Sequence, residues 1–74
     1  MIDRSHTGTR CHTLRFVRTV KGDLSRGSSG TIVYETENLG RQLILVEWDS
    51  GFSVPVFPDE IELDEQHVAQ ARVG

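Results

Sequence analysis

Three residues near the start of this 74-residue chain, His6, Cys11 and His12, are of types that hold metal ions or build a nucleophile. A structural or catalytic metal needs a fourth ligand and fixed geometry. The next histidine, His67, is remote in sequence, and no Cys-x-x-Cys accompanies it. Cys11 beside His12 pairs a thiol with a base, but sequence neighbours on a polar segment do not hold an activating hydrogen bond. Ser25 to Gly30, SRGSSG, could cup an anion with backbone N–H groups, yet it lacks the Lys-Ser/Thr ending and following helix of a phosphate loop. Tyr34, Trp48 and Phe52 could stack on bases. These residues predict no catalytic, cofactor or metal site, and cofactors are expected to be none.

The element that must position Trp48 and Phe52 is a hairpin. Asp49 and Ser50 suit a type I turn and Gly51 suits the left-handed position that completes a G1 bulge, so Trp48 is predicted to pair with Phe52. Val46 then faces Val54 and Ile44 faces Val56, giving one wholly apolar face that should be core. The opposite face pairs Glu47 with Ser53, Leu45 with Pro55 and Leu43 with Phe57. Pro55 cannot donate to a ladder, which puts it at an edge or a bulge. Leu43, Leu45, Pro55 and Phe57 are therefore either covered by the chain's own first strand or tail, or exposed as a candidate partner interface.

The remaining chain reads as short strands and turns. Residues 1–12 are expected to be a flexible N-terminal arm. Leu14 and Phe16, alternating with Arg15 and Val17, predict a first strand running to about Val20. A long loop over residues 18–29 follows, anchored by Leu24. The second strand, residues 30–36, would place Ile32 and Tyr34 on one face and Thr31, Val33 and Glu35 on the other. Asn38-Leu39-Gly40 turns into a third strand, residues 41–48. Pro58-Asp59-Glu60 predicts one 3₁₀ turn, and Ile61 and Leu63 a last short strand. Residues 64–74 form a tail that is a weak helix or disordered.

Composition fits one soluble domain, with 36% hydrophobic and 26% charged residues. A core of this size is marginal, and oligomerisation is a common way to add burial. No apolar run is long enough for a transmembrane segment, and the start lacks the apolar region of a signal peptide, so the expected location is the cytoplasm. A single cysteine allows no internal disulfide. Residues 1–29 carry six Lys or Arg against two Asp, and residues 30–74 carry two Arg against nine Asp or Glu. The asymmetry reads either as internal charge complementarity or as a basic patch of Arg15, Arg18, Lys21 and Arg26 facing phosphate or an acidic protein. The overall charge of −3 argues for weak nucleic-acid binding at most.

A strand, a long loop, Gly-Thr-Ile-Val (30–33), a Val-Glu-Trp-Asp-x-Gly hairpin (46–51) and Pro-Asp-Glu-Ile-Glu-Leu (58–63) together resemble an SH3-like small barrel over residues 13–63. The pattern is similar to bacterial small-barrel families of unassigned function and to accessory barrels of the photosystem I reaction-centre subunit IV type. The resemblance implies an all-β antiparallel barrel of about five strands that docks on a larger assembly. Ser53-Val54-Pro55-Val56-Phe57-Pro58 is also similar to the pore-lining Ser-Val-Gln-Ile-Tyr-Pro run of type II dihydrofolate reductase. There Pro55 and Phe57 replace the glutamine and tyrosine that would bind ligand. The leading expectation is a non-catalytic protein-interaction module with a protein partner or a second copy. A weak nucleic-acid binder of the KOW or Tudor kind and an oligomeric enzyme are the alternatives.

Overall fold

The computed structural model describes residues 2–64, which are mostly strand. Eight strands occur in chain order: β1 (Ile2–Asp3), β2 (Arg10–Thr13), β3 (Val17–Thr19), β4 (Gly22–Leu24), β5 (Ser29–Asn38), β6 (Arg41–Trp48), β7 (Ser53–Val56) and β8 (Ile61–Leu63). A 3₁₀ turn, Pro58–Glu60, stands where the Pro-Asp-Glu corner predicts it. The main sheet runs β7-β6-β5-β2-β8, with β1 added on the far half of β5, and every pairing is antiparallel. Strands β3 and β4 form a separate ribbon. The all-β antiparallel class is as expected, but the strands are shorter and more numerous than five. Among the described residues no ladder joins the ribbon to β7 or β8, so the structure is an open sheet with a gap where the expectation was a closed barrel.

The β6–β7 hairpin takes the bulged register. Trp48 N–H donates to Phe52 O at 2.9 Å and Gly51 N–H donates to Trp48 O at 2.9 Å, with Gly51 at φ +115°. Val46 lies opposite Val54 and Ile44 opposite Val56. That face is the core: Trp48 is 2% exposed, and Ile32, Val46, Val54 and Val56 are buried with it. Gly30 is required beneath them, since a Cβ there would stand 2.6 Å from Val46 Cγ1 and 2.8 Å from Trp48 Cε3. The packing has a polar cost: the buried Trp48 Nε1 has no hydrogen-bond partner among the described residues.

The first strand lies earlier than predicted. Leu14 and Phe16 are 45% and 52% exposed. It is Arg10–Thr13, all but its last residue inside the segment 1–12 expected to be a flexible arm, that pairs with both β5 and β8. Cys11 and Thr13 point inward and are buried, while Arg10 and His12 point out. Cys11 acts here as a small hydrophobe. The buried Thr13 hydroxyl donates to Ser25 O at 2.9 Å and accepts from Ser28 N–H at 3.0 Å. The loop predicted over residues 18–29 instead contains the β3–β4 hairpin, whose turn is pinned by Thr19 Oγ1, accepting from Gly22 N–H at 3.1 Å. Val17 and Leu24 from this ribbon complete the core.

Strand β5 carries a bulge that reverses its faces. Ile32 is opposite Val46, but the next pair is Tyr34 with Leu45, leaving Val33 as the extra residue. Beyond it Glu35, not Tyr34, shares the inward face with Ile44. The expected grouping of Ile32 with Tyr34 fails at that residue. The tail expected over residues 64–74 lies outside the described residues but for Asp64, whose N–H donates to Arg10 O at 2.8 Å.

Candidate functional site

The gap between the ribbon and β7 is a groove of about 320 Å³. Val17 and the turn residue Val20 line one wall; Val54, Pro55, Val56 and Phe57 line the other, with Leu43 reaching in from β6. Arg18 and Glu60 are its charged members, and Thr19 is polar. Of the four residues singled out as a candidate interface, Leu43, Pro55 and Phe57 thus meet in one place. Leu45 is not part of the lining; it sits half-buried, opposite Tyr34 and Pro55.

β7 is an edge strand, which is where a proline in a strand is tolerated. Because Trp48 bonds Phe52, the alternation of an antiparallel ladder turns Val54 and Val56 toward β6 and Ser53, Pro55 and Phe57 outward. Pro55 has no N–H, and Phe57 N–H already donates to Glu60 Oε1 at 2.8 Å. Only Ser53 keeps an outward donor on this edge, so strand addition is blunted. The groove can take side chains better than it can extend a ladder.

The basic residues predicted as a patch all belong to the ribbon or its flanks. Arg15 is turned toward the 3₁₀ corner, donating to Asp59 O at 3.3 Å with Asp59 Oδ1 and Glu60 Oε2 at 3.7 and 3.8 Å. Arg18, Lys21 and Arg26 make no ion pair among the described residues. Arg41 makes none either, and stacks over Phe57 at 4.7 Å from the ring centroid. The cationic residues left without a carboxylate therefore include two at the groove itself, Arg18 within it and Arg41 on its aromatic wall.

The residues that suggested chemistry are dispersed. Burial pushes the Cys11 thiol up to about 11, with the charge of Asp64 adding to it, which removes the thiolate needed for nucleophilic or metal chemistry at neutral pH. His12 Nδ1 lies 2.7 Å from Asp64 Oδ1. His6 lies between β1 and β2 toward the far half of β5, with Nδ1 2.5 Å from Glu35 Oε2. Among the described residues no group of three or more His, Cys, Asp or Glu side chains is arranged to hold a metal ion. The Ser25–Gly30 loop spends its donors internally: Gly27 N–H on Thr13 O at 3.0 Å and Ser28 N–H on Ser25 O at 3.0 Å. Trp48 is core, and Phe52 packs its ring 3.0 Å from where a Gly22 Cβ would stand.

Two features were missed by sequence reasoning. Arg10 makes a two-pronged pair with Asp49, at 2.9 and 2.6 Å, tying β2 to the β6–β7 turn. Those bonds hold the Asp49 carboxyl below its ordinary value and the Arg10 guanidinium above its own. The second feature is a recess of about 470 Å³ beside β1, lined by Asp3, Glu35, Thr36, Glu37, Gly40 and Gln42. Its floor is the buried Glu35, which accepts from Gln42 Nε2 at 2.7 Å as well as meeting His6. Asp3 at its mouth is held below the usual carboxylate value by the Ser5 hydroxyl and N–H.

Comparison with protein-family models, with curated proteins and with solved structures gives no match to this chain. Among the described residues no helix is long and apolar enough to cross a membrane.

Proposed function

We propose that this chain is a non-catalytic protein-interaction module, an SH3-like small barrel opened on one side, that serves as an accessory subunit of a larger cytoplasmic assembly. The observation that carries the reading is the groove between β3 and β7, where Leu43, Pro55 and Phe57 gather around a seam that no ladder closes among the described residues. An apolar groove on a domain this small favours a partner, because burying one such side chain is worth about 1.5 to 3 kcal/mol. A site for chemistry has less support, since His6, His12 and Cys11 are each committed to a carboxylate or to the core.

Leu43→Lys is the discriminating change. The variant is expected to stay folded by circular dichroism and to lose both self-association in sedimentation and any partner that the native chain retains from host extract and binds directly once purified. If Leu43→Lys unfolds while the native chain is monomeric and retains nothing, the groove is only part of the fold's cover and the proposal fails.

A further inference from the structure

Resting on that docking role, we infer that the groove's occupant is a protein segment combining apolar side chains with at least one carboxylate, inserted side chain first. The groove supplies the two halves of this recognition in one place. Its walls include Val54, Val56, Leu43 and Phe57, and its charged lining residues are Arg18 and Glu60. Glu60, the acidic lining residue, is already spent on Phe57 N–H and lies 3.8 Å from Arg15. Arg18 lines the groove, and Arg41 stands over Phe57, so an incoming carboxylate would find two guanidinium groups that have no carboxylate partner among the described residues. Charge-assisted pairs with guanidinium are the strong, geometrically selective kind.

The edge disfavours the commoner way of binding an extended segment. With Pro55 lacking an N–H and the Phe57 N–H taken, β7 offers a guest strand a single outward donor, at Ser53, which makes for a poor ladder. Selectivity must then come from side chains, which is what an apolar groove with Arg18 and Arg41 beside it provides. A nucleic acid is the less suitable guest. On the ribbon and its flanks Arg18, Lys21 and Arg26 are without an ion pair among the described residues, Arg18 alone of them lines the groove, and the chain as a whole carries −3.

Short random peptides displayed on phage and selected on the native chain provide the test, with Leu43→Lys as the counter-selection. The expected result is a set of peptides sharing apolar residues next to Asp or Glu. Their synthetic forms should bind about tenfold more weakly to Arg18→Gln with Arg41→Gln, both exposed positions, in a variant whose circular dichroism matches the native chain, and should weaken with salt. Apolar peptides without a carboxylate, lost on Leu43→Lys but indifferent to the two arginines, would overturn this inference and leave the docking role standing. No enrichment over Leu43→Lys would overturn both. Labelled oligonucleotide that binds through Arg18, Lys21 and Arg26 and ignores Leu43→Lys would replace the peptide with a nucleic acid.

Discussion

At the end of the β5–β6 hairpin next to β7, the inward face carries Ile32, Val46 and Trp48 packed down onto Gly30. At the other end the same face carries Glu35, held by Gln42 from β6 and by His6 from the segment after β1. One bulged residue, Val33, separates the two. A regular strand would have sent Tyr34 inward and Glu35 to solvent. The bulge exchanges them, and the exchange has to be compensated, because a carboxylate without partners is costly to bury. The dry end is stabilised by volume and the wet end by hydrogen bonds from two other pieces of chain. Failure should therefore look different at each: loss of packing at one unfolds the domain, whereas loss of a partner at the other loosens a corner.

The largest expected effect is at the dry end. Trp48→Ala removes the biggest fully buried side chain and should cost about 3 to 5 kcal/mol. On a domain of this size that leaves little or no folded population at room temperature. Denaturant titration followed by circular dichroism checks it. A cooperative transition within about 1 kcal/mol of the native chain would mean that the indole, with its unpaired N–H, contributes far less than its volume implies.

The two ends also differ in how readily they are read from sequence. Trp48-Asp49-Ser50-Gly51-Phe52 announces its own register, because loop length, turn residues and the apolar pairing of Val46 with Val54 all agree. The gathering of Leu43, Pro55 and Phe57 was visible from the same register, since those residues share the hairpin's second face. Leu45's exclusion was not, because it depends on where Tyr34 falls after the bulge. Nothing in Thr31-Ile32-Val33-Tyr34 marks an extra residue. The N-terminal strand was hidden for another reason: Arg10-Cys11-His12-Thr13 has a single apolar residue, Cys11, too few to show an alternation. Leu14 and Phe16 offered a clean but false alternation beside it. Thr13 is buried because the loop before β5 satisfies its hydroxyl, a contact between residues 12 to 15 positions apart that no local window contains.

Cys11 sharpens the contrast from the middle of the sheet, because its burial has a titratable consequence. In the folded chain its thiol ionises only near 11, whereas an exposed cysteine ionises nearer 9. Above pH 9 the unfolded chain releases this proton and the folded chain keeps it, so folding stability falls as pH rises from about 9 to 11 and the contribution is intact below that window. Two units correspond to about 2 to 3 kcal/mol at the top of it. Denaturant melts of the native chain and Cys11→Ala across that range should show the native advantage shrinking with pH. Parallel curves would mean that water reaches Cys11 in the native state.

The smallest effect belongs to the wet end, and it is the one that asks whether the bulge is supported by the segment that covers it. His6 is about half exposed and Glu35 almost wholly buried, so the pair lies at the boundary between a surface ion pair and a buried one. His6→Ala removes one of two side-chain partners of the Glu35 carboxylate and leaves Gln42 in place. The expected cost is about 1 kcal/mol, between that of an exposed pair and that of a hydrogen bond to a buried charge. In a Glu35→Gln background the same change should cost markedly less, because the amide no longer needs a charged partner. The difference between the two costs is the coupling. Hydrogen exchange adds the spatial test. Ile2 and Asp3, which pair with Thr36 and Glu35, should lose protection in His6→Ala while the amides of Val46 and Val54 keep theirs. Equal loss in both places would mean that the two ends of the hairpin open as one unit, and that the bulge divides their chemistry without dividing their stability.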